Sequence, residues 1–208
     1  MHTGPSLYVM LSHTTTGVGK FIRRMSGYDY SHVSLSLDSS HRRWVSFARY
    51  AHNCALYGGF VVEPIERFLA DGGPVPVRIF RLPLTDEQYR HLQTRFANAG
   101  DPENGFLYNL FDVPAAYFHR HFPLPNAYTC LSFACDVLDI SVCNIAELDK
   151  HLEPHLIYDG DLAALTPDTG DRGDRYFQPL KFPEKWRLSA HHFARLSARL
   201  WRQKVLRQ

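Results

Sequence analysis

Residues His32-Val33-Ser34-Leu35-Ser36-Leu37 alternate polar and apolar side chains with a period of two. A chain that obeys this period is extended, because successive side chains of a strand leave opposite faces of a sheet. Val33, Leu35 and Leu37 make the apolar face; His32, Ser34 and Ser36 make the polar one. Asp38-Ser39-Ser40-His41 supplies turn chemistry, and Trp44-Val45-Ser46-Phe47 returns as a second strand. A hairpin is only marginally stable alone, so further strands must be recruited around it.

The rest of the chain supplies them. Leu7 to Leu11 reads as a short buried strand, Gly58-Gly59 precede a strand over Phe60 to Glu63, and Val75 to Leu82 alternates again. Helices are expected over Gly17 to Met25, over Ile65 to Ala70 after Pro64, and from the Thr85/Gln88 capping box to about Ala99. Gly17-Val18-Gly19-Lys20 reads as a helix start, since a phosphate loop needs Gly at Thr14 and Ser or Thr at Phe21. The aromatic stretch Phe106 to Phe118 is expected to break or kink at Pro114, and it either walls a pocket or fills the core. Strands and helices in this order predict one α+β domain, with an antiparallel sheet or partial barrel.

The polar, Gly- and Pro-bearing stretch from Leu165 to Lys185 reads as a long loop. After it, Leu188 to Gln208 forms a basic amphipathic helix with Phe193, Leu196 and Leu200 as its apolar stripe. The expected division is therefore a body over 1–187 and a helix over 188–208. That helix either docks on its own core or meets a membrane surface or a partner.

Composition narrows the function. A net charge of +2 is too mild to argue for nucleic acid, and no nucleic-acid partner is expected. Hydrophobic residues at 45% and charged ones at 21% exclude global disorder. No run approaches the ~20 apolar residues of a membrane span, and Leu7 to Leu11 is too short and too poorly flanked for a signal peptide. A cytoplasmic setting with reduced thiols is expected. Cys54, Cys130, Cys135 and Cys143 lack zinc-site spacing, and Pro154 interrupts His151 and His155, so neither metal nor cofactor is expected. His119-Arg120-His121 and His191-His192 read as solvated.

Thr129-Cys130-Leu131-Ser132-Phe133-Ala134-Cys135 begins a helix that is apolar on most sides, hence a core helix. A thiol in its first turn feels unpaired backbone N–H groups and the positive end of the helix dipole, and both favour thiolate. The same donors can hold an oxyanion. Cys130 there serves either packing or nucleophilic chemistry; Cys135, on another face, packs. His32, on the polar side of its strand, is either a satisfied strand-end histidine or the base that serves such a thiolate. Arg49 is a candidate for a substrate carboxylate or phosphate, or for a surface salt bridge.

Tyr30-Ser31-His32-Val33-Ser34-Leu35-Ser36-Leu37-Asp38 followed by Tyr128-Thr129-Cys130-Leu131-Ser132-Phe133-Ala134 resembles the circularly permuted branch of the NlpC-type papain-like superfamily. That branch includes the lecithin:retinol acyltransferase-like and the bacterial YiiX-like proteins, and the histidine strand precedes the cysteine helix in it, as here. Trp44-Val45-Ser46-Phe47-Ala48-Arg49 and Gly58-Gly59-Phe60-Val61-Val62-Glu63 are similar to segments of its bacterial members. The resemblance covers about Leu7 to Leu138. It implies a cysteine hydrolase, peptidase or amidase, or an acyltransferase. Cys130 would be the nucleophile and His32 the base, acting on a peptide- or acyl-containing small substrate, with Tyr128 beside the cysteine as a substrate contact. A third group should orient the imidazole: Glu63, unless it is an exposed helix-start carboxylate ahead of Pro64, or else Ser46. Two other classes stand beside this one, an inactive binding protein of the same fold and an adaptor working through the basic helix.

Overall fold

A computed structural model describes residues 4–14, 19, 23–24, 27–70, 72–117 and 122–205. The expected helix over Gly17 to Met25 and the pair His119 and His121 fall largely or wholly outside them. Six strands form one antiparallel sheet: β1 (Ser6–Ser12), β2 (His32–Ser36), β3 (Arg43–Arg49), β4 (Gly58–Pro64), β5 (Pro76–Pro83) and β8 (Leu156–Asp161). Their order is β4-β3-β2-β1-β5-β8, so the chain is α+β. The sheet is open, with β4 and β8 at its edges, rather than closed towards a barrel. Two short parallel strands, β6 (Leu107–Tyr108) and β7 (Ala127–Tyr128), pair separately, with β6 packed beside β3 and β4.

Every residue of β1 is buried, because both faces of the sheet are covered. One face gathers Leu7, Val9, Leu11, Val33, Leu35, Phe47 and Phe80 with the cysteine helix, α4 (Cys130–Leu138). The other gathers Tyr8, Met10, Trp44, Val77 and Ile79 beneath Ile65 and Leu69, the latter on the short helix α1 (Glu66–Leu69). The polar side of the hairpin is therefore an interior layer. Ser34 and Ser36 are buried, and each hydroxyl has an acceptor there, Ser34 the Glu63 carboxylate at 2.9 Å and Ser36 the Arg43 carbonyl at 2.7 Å.

The capping box at Thr85 and Gln88 is formed in both directions and starts α2 (Asp86–Gly100). Pro114 does not break its segment. It sits in the first turn of α3 (Asp112–Tyr117), where a proline removes no intrahelical hydrogen bond. An amphipathic helix, α5 (Ile145–Leu152), leads into β8, and a single turn, α6 (Leu162–Leu165), follows it.

The C-terminal helix α7 runs Phe182–Val205, starting at Phe182 rather than Leu188 because Pro183 opens it. Its inward side is not the stripe expected. Leu196 is fully buried and Leu200 packs beside it, but Phe193 is 53% exposed. His192, expected to be solvated, is 2% exposed and its Nε2 donates to the Tyr108 carbonyl at 2.9 Å. Arg199 donates to the carbonyls of Gly105, Pro125 and Asn126, tying the helix to the loops around β6 and β7. No helix among the described residues is long and apolar enough to cross a membrane.

Candidate active site

Thr129 is extended, and its hydroxyl accepts the Ser132 N–H while the Ser132 hydroxyl accepts the Thr129 N–H. This reciprocal cap fixes Cys130 as the first residue of α4. Its backbone N–H then has no acceptor within the helix. Packing on Phe133 holds the helix end against β3, β4 and β7: the Phe133 ring meets Phe47 at 4.9 Å, Phe60 at 5.8 Å and Tyr128 at 5.7 Å between centroids. Cys130 is thereby set beside the first residues of β2.

His32 opens β2 opposite Ser12 of β1. Its Nε2 lies 3.0 and 3.2 Å from the two oxygens of Glu63. Nε2 is thereby engaged, and the Cys130 thiol lies close enough to the ring for each group to shift the other's titration. The Val33 N–H faces that sulfur and helps to lower its pKa. Glu63 is 6% exposed and accepts from Ser34 at 2.9 Å and Ser46 at 2.6 Å. It is not an exposed helix-start carboxylate: as a β4 residue paired with Trp44 it points into the interior layer of the sheet. Ser46, the alternative third member, donates to the carboxylate instead of meeting the imidazole.

The charges follow from these contacts. Burial opposes an imidazolium at His32, but the charges of Glu63 and Cys130 and their hydrogen bonds overcome it and raise its pKa to about 10. Burial likewise opposes a thiolate at Cys130, yet the His32 charge, its hydrogen bond and the Val33 N–H bring the pKa below the ordinary thiol value. Burial pushes Glu63 up; His32, the Ser46 hydroxyl and the Arg67 guanidinium pull it below the usual carboxylate value. A thiolate–imidazolium–carboxylate row is the charge state these contacts favour. Cys135, by contrast, is a buried thiol whose pKa is raised by desolvation.

Cys130, His32 and Glu63 line a cavity of about 890 Å³. Phe47, Phe68, Leu110 and Val113 give it apolar walls, and Tyr176 and Phe177 contribute from the loop before α7. Arg49 lines it too, held by the His52 carbonyl at 2.8 Å and the Tyr176 hydroxyl at 3.0 Å. It makes no surface salt bridge among the described residues. Tyr128 is elsewhere. Its ring stacks into Phe47, Phe106 and Phe133 and lines a separate pocket of about 350 Å³, so it does not reach the Cys130 cavity.

Three residues at the site carry little or no sequence signal. Ser34 reads only as one position on the polar face of its strand. Tyr108 lines the cavity, and its phenol is held protonated by burial and by the nearby Cys130 charge. Only the aromatic richness around it points its way. Arg67 forms a two-point pair with Asp174, at 2.6 and 2.7 Å, and packs under the Tyr176 ring at 4.9 Å, which pins the loop over the cavity. Among the described residues no group of three or more His, Cys, Asp or Glu side chains is arranged to hold a metal. Comparison with protein-family models, with curated proteins and with solved structures finds no match.

Proposed function

We propose that the chain is a papain-like cysteine hydrolase or acyltransferase that acts on an amide, ester or thioester through Cys130, His32 and Glu63. The observation that carries this reading is the setting of His32, with a buried carboxylate held on Nε2 and, lining the same cavity, a helix-start thiol whose charge the imidazole favours. Such an arrangement holds both the tautomer and the orientation a general base needs.

In this mechanism the Cys130 thiolate attacks the carbonyl carbon, and a carbon–sulfur bond forms as the carbonyl electrons move to oxygen. The Cys130 N–H and the Tyr108 hydroxyl stabilise that oxyanion. The imidazolium gives its Nδ1 proton to the departing amine, alkoxide or thiolate, leaving a thioester on Cys130. Water, or an amine or alcohol in a transferase, then gives a proton to Nδ1 and attacks the thioester, and the carbon–sulfur bond breaks to release the acid, amide or ester and restore the Cys130 thiolate. Glu63 keeps the ring in place through both steps. The apolar walls suit a peptide or acyl group, and a reducing, cytoplasmic setting suits the free thiol.

The test is the pH dependence of Cys130 alkylation by iodoacetamide, with the modified residue identified by mass spectrometry. An ordinary thiol loses reactivity tenfold per pH unit below ~8.5. Cys130 should stay reactive well below that, while Cys135 should not. Alkylation of Cys130 with ordinary thiol behaviour, or hydrolysis of an ester panel unchanged in Cys130→Ser, rejects the reading.

A further inference from the structure

The inward side of α7 is occupied by His192, Leu196, Leu200 and Arg199, as described above. Its outward side carries a second apolar stripe. Phe182 is 77% exposed, Trp186 64%, Phe193 53%, Trp201 68% and Val205 50%. At a helical period of 3.6 residues these positions fall on one broad face, with the small residues Ala190, Ala194 and Ser197 between them. Five large apolar side chains on one open face differ from the scattered exposed hydrophobics that any protein surface carries.

Charge is segregated in the same place. Residues 181–208 hold eight of the 23 basic side chains but only one of the 21 acidic ones, so this stretch carries +7 while the rest of the chain carries −5. Arg195 and Arg199 are committed to backbone carbonyls of the body. Lys181, Arg187, Arg202 and Lys204 are exposed.

We propose that the outer face of α7 docks on an anionic lipid bilayer surface, with Phe182, Trp186, Phe193 and Trp201 seated at the headgroup–acyl boundary. The four exposed cations would lie among the lipid phosphates and carboxylates. Indole rings favour this boundary because one edge is polar and the body apolar. A nucleic-acid duplex, its bases already stacked, would engage the cations and leave the aromatic stripe in water. A second copy would bring two basic stretches together. A bilayer with negative headgroups satisfies stripe and charge at once. The face lies beside the cavity rim: the Phe193 ring meets Phe111 at 5.5 Å, and Leu110 and Val113 beside Phe111 line the cavity. The docking is independent of whether Cys130 is a nucleophile.

The experiment is co-sedimentation of the full chain with phosphatidylcholine vesicles, with and without phosphatidylserine. Binding is expected to the serine-containing vesicles, and to weaken as salt is raised. Tryptophan emission should shift to the blue on binding, since Trp186 and Trp201 are exposed while Trp44 is already buried. Trp186→Ala/Trp201→Ala, which leaves the docked side untouched, should weaken binding about tenfold or more. Lys181→Gln/Arg187→Gln/Arg202→Gln/Lys204→Gln should abolish the preference for phosphatidylserine, each charge being worth about fivefold. No sedimentation with phosphatidylserine vesicles overturns the proposal, as does binding that neither variant changes. A dimer dissolved by the tryptophan variant, without vesicle binding, assigns the face to a second copy instead.

Discussion

Two groups of charged side chains stand on opposite faces of the same sheet, and they end differently. Neighbouring β1 residues mark them: Leu11 pairs with Arg78 and Ser12 pairs with His32. Arg78 meets Asp149 at 2.5 Å, Glu153 at 2.8 Å and Asp159 at 3.2 Å, and the Tyr28 hydroxyl adds a bond to Asp149. The side chains of Glu153 and Asp159 are each 57% exposed, so that group leads from the interior to solvent, with one guanidinium shared by three carboxylates. It fastens β5 to β8 and α5. The His32 group has one buried carboxylate, and its other end is a sulfur facing a cavity. A perturbed ionisable group is therefore not by itself a sign of chemistry. The sign is a charged row that terminates on a nucleophile with room for a substrate.

Substitutions that remove one charge from each group should separate these roles. Glu63→Gln keeps the shape of the side chain but removes the charge opposite His32, and turnover should fall roughly 10²–10⁴-fold with KM little changed. Steady-state kinetics on whichever ester is turned over provides the check; a loss confined to KM would mean that Glu63 does not orient the base. Arg78→Met should act the other way. It leaves Asp149 buried without its cation and should cost about 3 kcal/mol, towards the low end of the cost of breaking a buried pair because two of its partners are exposed. Urea denaturation measures that, while kcat of the folded fraction should stay within about twofold. An Arg78→Met protein as stable as the parent, or one with a large kcat defect, would erase the contrast between the two groups.

What could be read in the sequence was local. The alternation at His32, the Thr129 cap before Cys130 and the Thr85/Gln88 box each lie within a few residues, and their geometry needs no distant partner to be specified. What was missed depended on layers. β8 alternates exposed and half-buried positions at the sheet edge and includes Asp159, Gly160 and Asp161, a composition that resembles a loop until β5 pairs with it. Ser34 reads only as a polar-face position because nothing local shows that Glu63 and α1 cover that side. Pro114 reads as a break or kink and Pro183 falls in the stretch that reads as a long loop, yet each stands in the first turn of a helix, where its fixed φ assists. Arg67 could not be linked to Asp174 from sequence, since 107 positions separate them.

The smallest expected effect is a pH dependence, and it tests whether His32 and Glu63 act as one charged pair. A group whose folded pKa is raised contributes stability that is complete below its unfolded pKa and lost as pH climbs through the folded value. For His32 that loss runs from about 6.5 to about 10. Glu63, with its folded pKa depressed from 4.5, contributes stability present above the unfolded value and lost as pH falls through the folded one. The two contributions therefore coincide between about 4.5 and 6.5, and the unfolding free-energy difference between the parent and Glu63→Gln should be largest there. It should shrink on both sides, through acid as Glu63 is protonated and through alkali as His32 is neutralised. The Arg78 group predicts no such alkaline decline below pH ~10, because a guanidinium stays charged throughout that range. Denaturation series for both variants across pH ~4 to ~10 would show it, each curve differenced against the parent. A Glu63→Gln difference that is flat from neutrality to pH ~10 would mean that His32 is neutral in the folded state, and the thiolate at Cys130 would then have no cation beside it.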